Sequence, residues 1–152
     1  MQHDLEQLQQ LLDGMPPVVA MGIRAVSLTQ GQLRLHAPLQ ANLNDKGNAF
    51  GGSLASIMTL AGWGLVTATL QQAGRAAEVY VADSQLRYLT PLYGDLQAVA
   101  GLAEASDWTR FLERLDERGH ASIQLQATVQ DADGKAAAAL EGRFVARLKD
   151  VP

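Results

Sequence analysis

The stretch NDKGNAFGGSLASIMTLAGWGLVTATL, residues 44–70, decides the fold: adjacent glycines stand at the entrance to the most apolar helical run in the chain. From Gly47 to Gly74 there is no Asp, Glu, Lys or Arg. A helix without charged positions has no solvated face, so it is either a membrane span or a helix surrounded by protein. Residues 54–70 reach only the short end of the roughly 17 to 25 residues a bilayer requires, and they include Ser56, Thr59, Gly62, Gly64, Thr67 and Thr69. The expectation is a core helix, with no membrane.

Glycine in a helix interior costs roughly 1 kcal/mol relative to alanine, because it loses more backbone freedom on ordering. Gly51 and Gly52 therefore answer a local need. Either the loop must adopt positive φ, or a ligand must approach the helix start, where amide N–H groups lack internal partners. The residues alone leave both open.

The rest of the chain supplies what surrounds the helix. In HASIQLQATVQ, residues 120–130, Ala121, Ile123, Leu125, Ala127 and Val129 alternate with polar residues, the pattern of a strand with one wet face. Asp133 and Gly134 make a turn, and ALEGRFVARL, residues 139–148, alternates again to complete a hairpin. EVYVADSQLRYL (78–89) and DLQAVAGLAEAS (95–106) predict a second pair around Pro91 and Gly94, and IRAVSLTQ (23–30) and QLRLHAPL (32–39) a third around Gly31. Two minor helices are expected, one over residues 4–12, stopped by Gly14, Pro16 and Pro17, and an amphipathic one around Trp108, Phe111, Leu112 and Leu115. About six strands, each apolar on one face, are most simply satisfied by curling an antiparallel sheet around the long helix.

Composition sets the outer bounds. The 152 residues, 47% hydrophobic, suit a single domain over 1–152. A net charge of −4 with scattered Lys and Arg offers no basic stripe, so nucleic acid is not expected as a partner. Without cysteine there is no disulfide or thiolate chemistry, and His3, His36 and His120 form no ligand-spaced pair, so neither metal nor a Ser-His-Asp arrangement is expected. The polar, acidic N-terminus carries no visible secretory signal, which makes the cytoplasm the default location.

Within residues 44–52 the order is Asn44, Gly47, then Phe50-Gly51-Gly52. This resembles the hot-dog thioesterases, in which Asn, Gly and a His-Gly-Gly run open the central helix; here Phe50 replaces the histidine. QLRYLTPLYGDL (85–96) is similar to the strand and turn of those enzymes, where an aromatic residue and a proline precede Gly-Asp. FGGSL followed by LAGWG, with FVARL near the end, resembles the thioesterase domain that some bacteria carry fused behind a GNAT-type acetyltransferase. The likeness covers residues 22–148. It implies an α+β hot-dog fold and a homodimer, or a tetramer, with sites at the subunit interface. It also implies no cofactor beyond coenzyme A as part of the substrate.

On this resemblance Gly51 and Gly52 let a thioester carbonyl rest against helix-start amides, whose N–H groups stabilise the developing oxyanion; the alternative is a tight loop-to-helix turn. Nine residues after the usual histidine, many members place an Asp or Glu; here that position is Thr59, whose hydroxyl is no base at neutral pH. Asp83 is then the candidate base. Simple alternation puts it with Val81, Gln85 and Arg87 on one strand face, opposite Tyr80, Ala82, Ser84, Leu86 and Tyr88. It would act across the interface, with Asn44 orienting water or thioester and Ser53 supporting the backbone amides; the alternative is a solvated aspartate or an ion pair with Arg87 of the partner strand. Ser56, Thr59, Trp63 and Thr67 form one helical stripe, either an acyl channel bounded by Trp63 or packing across a dimer. Arg75, Arg110 and Arg114 are possible phosphate partners, or merely solvated.

Two function classes follow from the residues and the resemblance. One is an enzyme hydrolysing acyl-CoA or acyl-carrier-protein thioesters, and the other a non-catalytic acyl-thioester-binding or dimerisation module. A dehydratase is disfavoured, since those hot-dog enzymes use the absent histidine.

Overall fold

The computed structural model describes residues 2–150. In chain order the elements are α1 (Gln2–Asp13), α2 (Pro16–Met21), β1 (Arg24–Thr29), β2 (Gln32–Ala37), α3 (Gly51–Gln72), β3 (Ala77–Tyr88), β4 (Leu96–Leu102), α4 (Trp108–Arg118), β5 (His120–Gln130) and β6 (Ala136–Leu148), with a 3-10 turn at Leu39–Ala41. The charge-free run is α3, and six antiparallel strands in the order β1-β2-β4-β5-β6-β3 curl around it. This is the expected α+β hot-dog arrangement.

Alternation carried the central strands correctly. Along β5 every second residue from Ala121 to Val129 is buried, and Leu140, Phe144 and Ala146 of β6 lie in the same core. Each such side chain contributes about 1.5–3 kcal/mol when large and fully buried. The long helix is apolar enough to cross a membrane, but Ile57, Met58, Ala61, Leu65 and Val66 are instead buried in this core.

The glycines of LAGWG set how closely α3 approaches its neighbours. A Cβ on Gly62 would lie 2.5 Å from the Phe144 ring of β6, and one on Gly64 would lie 2.7 Å from Leu33 of β2. Phe144 and Leu33 are both fully buried and have nowhere to retreat. Two glycines that weaken the helix locally thus permit its close packing.

Three expectations are corrected. The segment 95–106 does not pair with 78–89, because β4 has both edges taken by β2 and β5, and β3 crosses the molecule to pair with β6 at the end of the sheet. Pro16 and Pro17 do not only stop α1; they also open α2, since the missing N–H costs nothing in a first helical turn. Alternation along β3 fails too. A bulge between Val81 and Asp83 places Val81 opposite Phe144 and Asp83 opposite Arg143, so the inward set is Val79 and Val81 before the bulge, then Ser84, Leu86 and Tyr88 after it.

The two sheet edges differ. On β1 the side chain of Gln9 from α1 accepts from the Ala25 N–H at 2.7 Å, which occupies the backbone there. On β3 the Val79 carbonyl accepts from Trp63 Nε1, and the twelve-residue edge carries Tyr80, Val81 and Tyr88, with Leu89 just beyond, all at least 44% exposed.

Candidate active site

The entrance to α3 is built by two loops. Phe50 N–H donates to the Asn42 carbonyl and Ala49 N–H to the Leu92 carbonyl, each at 2.8 Å, which ties the segment before the helix to the turn before β4. That turn is itself held by Asp95, whose carboxylate accepts from Leu39 N–H at 2.9 Å and lies 3.0 Å from His36 Nε2. The Leu39 amide and then His36 hold the Asp95 carboxyl below its ordinary value. His36 thus has an acidic partner that no sequence spacing announced, because the two residues are 59 apart in the chain.

At the helix start Phe50 is the N-cap, with no side-chain cap and no acidic residue in the first turn. Ser53 and Leu54 already give their amides to the Phe50 carbonyl, at 3.0 and 3.1 Å. The amides of Gly51 and Gly52 are the first two of the helix, where no intrahelical acceptor exists. Neither glycine has positive φ; in this region Gly47 does, at +80°. Positive φ is therefore not the need that the pair meets. A Cβ on Gly52 would lie 2.5 Å from the Phe50 ring, which folds over it, and one on Gly51 would meet the Tyr88 ring at an ordinary 3.6 Å. Tyr88 also donates its hydroxyl to the Gly51 carbonyl at 3.3 Å. The pair is therefore flanked by two half-exposed aromatic rings, Phe50 at 53% and Tyr88 at 57%.

The expected roles redistribute around this geometry. Asn44 spends its side chain inside its own loop: Oδ1 accepts from the amides of Lys46 and Asn48, at 2.8 and 3.1 Å, while Nδ2 donates to Asn48 Oδ1 and the Ala49 carbonyl. With its bonding capacity used, it shapes the entrance rather than orienting a substrate. Asn42 and Asn48, 2% and 7% exposed, are buried polar residues of this entrance that no sequence spacing announced. Ser53 is buried in the first turn, but the helix-start hydroxyl that bonds backbone is Ser56, which donates to the Gly52 carbonyl at 2.8 Å. Thr59 is half-buried on the stripe that also holds Ser56, Trp63 and Thr67.

Asp83 is not brought to the entrance of its own chain. The bulge turns it to the outer face of the sheet, where Arg143 of β6 donates to it from Nη2 at 2.8 Å and Nε at 3.0 Å. Within its own chain the partner is thus Arg143. Nor is Arg75 free for phosphate: it forms a two-armed pair with Asp116, both bonds 2.7 Å, which raises its own basicity and lowers the Asp116 carboxyl.

The profile of the family described as Putative thioesterase (yiiD_Cterm) matches residues 5–148. The chain belongs to this family. Among solved structures, a putative thioesterase from Shewanella oneidensis is 30% identical and superposes with a TM-score of 0.87, with 98% of this chain and 100% of that one covered. A protein of unknown function from Chlorobaculum tepidum is 27% identical, with a TM-score of 0.88 and coverage of 95% and 94%. A thioesterase from Haemophilus influenzae shares the fold at 16% identity, with a TM-score of 0.73 and coverage of 95% and 90%. The family supports hydrolase activity on thioesters in general.

Proposed function

We propose that this protein hydrolyses acyl thioesters of coenzyme A or acyl carrier protein, as a homodimer joined along β3. The observation that carries the proposal is the uncapped start of α3, where two adjacent side-chain-free residues present their amides between Phe50 and Tyr88. A thioester carbonyl placed there accepts from Gly51 and Gly52 N–H. As hydroxide from solvent attacks the carbonyl carbon, the C=O electron pair moves onto oxygen, and the negative charge develops against the amides and the positive end of the 22-residue helix, with the proton of the acid product passing to the departing thiolate or to solvent. Collapse expels the thiolate, which leaves readily because thiols are far stronger acids than alcohols, and the acid product departs.

Within one chain no carboxylate hydrogen-bonds to the helix entrance among the described residues, and the reading therefore assigns the rate to oxyanion stabilisation and positioning. The dimer reading is supported by the β3 edge and its exposed apolar side chains, set beside the half-buried stripe of α3. Antiparallel pairing of β3 with its copy places the start of each strand beside the end of the other, and so beside the partner's helix entrance.

The test is CoA release from a panel of acyl-CoAs together with sedimentation at micromolar concentration. Turnover by a dimer is the expected result, with kcat/KM rising continuously with pH as hydroxide becomes available. A plateau governed by a carboxylate-like ionisation would restore a side-chain base. Tight acyl-CoA binding without release would favour the non-catalytic binding module, which the same amide geometry also serves.

A further inference from the structure

Gly101 lies on β4 in the middle of the sheet, where β4 pairs with β2 on one side and Gly101 faces Gln126 of β5 on the other. A glycine inside a strand weakens it, and it usually marks a bulge, a strained backbone or the close approach of another group. Neither pairing of β4 shifts register, and φ at Gly101 is not positive. A Cβ added there would meet nothing nearer than 3.8 Å, and that neighbour is the flexible side chain of Gln32. The chain itself therefore gives no reason for the missing side chain.

Around that gap is a cavity of about 610 Å³, lined by Val99 and Gly101 of β4, by Arg34 of β2, by the glutamines Gln30, Gln32, Gln126 and Gln130, and by Trp108 at the start of α4. It opens on the outer face of the sheet, since the alternate residues Leu33, Leu35, Ala98 and Ala100 are buried in the core around α3. The Trp108 ring is set edge to face against buried Phe111, with centroids 5.9 Å apart. Among the described residues, neither the four glutamine amides, nor the Arg34 guanidinium, nor the Trp108 N–H is hydrogen-bonded within the chain. The wall contains no Asp or Glu, so Arg34 is its only charge. Asp95 and Asp131 share a neighbouring hollow with Arg34, but Asp95 is engaged by Leu39 and His36, and Asp131 by the amides of Asp133 and Lys135. Glu141, opposite Gln126 on β6, stands outside the wall on the side away from Arg34.

We propose that this hollow binds a mononucleotide, with the base over Gly101 beside the Trp108 ring and the phosphate at Arg34. A base is planar, so it suits the thin gap left by one missing side chain, and every base has a face that packs on an indole. Its edge carries donors and acceptors together, and each glutamine amide offers both. The phosphate answers the lone guanidinium, whose planar fork matches phosphate geometry. The spacing agrees as well. Arg34 pairs with Val99, two residues from Gly101 along β4, so ~6.6 Å separates the gap from the charged rung, and a ribose fills that span. The site is on the opposite face of the sheet from α3, and it is independent of the thioester reading of the helix entrance.

The experiment titrates AMP into the wild type by calorimetry and into Trp63→Phe by fluorescence, where Trp108 is the one remaining tryptophan. Saturable quenching with one site per chain is the expected result. Adenosine, without the phosphate, and ribose 5-phosphate, without the base, should each bind more weakly by about tenfold or more. Arg34→Ala should weaken AMP to the level of adenosine and leave adenosine itself unchanged. Gly101→Val fills the gap with a side chain that suits a strand, so it should abolish AMP binding without lowering the urea midpoint. If that variant does not fold, Arg34→Ala and the adenosine comparison decide. The proposal is overturned by an absence of saturable AMP binding up to millimolar concentration, or by AMP binding that both variants leave unchanged. A response to coenzyme A without one to AMP also overturns it, since the face would then belong to the thioester substrate. So does a smaller sedimenting mass in either variant with no AMP binding in the wild type, which would make the hollow a contact between copies of the chain. None of these measurements uses turnover, so loss of the hydrolase reading would leave the nucleotide result standing, and the reverse.

Discussion

Arg143 reaches across from β6 and donates two hydrogen bonds, 2.8 and 3.0 Å long, to a single carboxylate oxygen of Asp83 on β3. The pair sits on the outer face of the sheet, because the bulge before Asp83 reverses the alternation of its strand. An acid held there is engaged by an arginine of its own chain. Asp83→Asn should leave kcat/KM within about threefold of wild type and lower stability by the ~0.2–1 kcal/mol usual for an exposed ion pair. Steady-state kinetics with urea unfolding measures both; a loss of turnover by a hundredfold or more would return Asp83 to the chemistry.

Gly51→Pro removes one proposed oxyanion donor at small structural cost. Proline is favoured at the first helical position, and Phe50, at φ −65° and ψ 130°, already has the extended backbone that precedes proline. The fold should persist, and kcat should fall by the ~10² to 10³ typical of losing one such donor. Circular dichroism together with single-turnover CoA release tests this. Retained activity would remove the Gly51 amide from the site.

Gly62→Ala sets helix propensity against packing. Alanine gains up to about 1 kcal/mol in a helix, but its methyl would lie 2.5 Å from the ring of fully buried Phe144, and overpacking costs about 1–3 kcal/mol. The variant should be less stable in urea. Phe144→Leu made in the same chain should recover part of the loss, since the two sites share one volume.

Acid should weaken the anchor of the helix entrance. Asp95 titrates below its ordinary 3.8 in the folded protein, so the folded state binds the proton less readily than the unfolded state. Its contribution is present above pH 3.8 and is lost as pH falls through the lower folded value. Asp95→Ala should therefore lower Tm at pH 7, and the gap from wild type should narrow at pH 3 and below. A gap independent of pH would mean that the ionised carboxylate is not what holds Leu39 and His36.

Much of this molecule was legible before any tertiary contact. The charge-free run had to be a surrounded helix, residues 120–130 and 139–148 had to form a hairpin with one wet face, and adjacent glycines at the helix start had to meet a local need. Each of these depends on periodicity or turn chemistry spanning a few residues, which the chain carries wherever it is read. What the fold alone decided is of another kind. It set β3 against β6 rather than β4, bulged the strand at Ala82 so that Asp83 met Arg143, and brought Tyr88 to Gly51 and Asp95 to His36. These contacts join residues 37 to 60 apart, and they arise from which edges remain unpaired once the strands surround α3. No local pattern encodes that choice, because strand partner and bulge position are settled by the packing of the whole sheet on its helix.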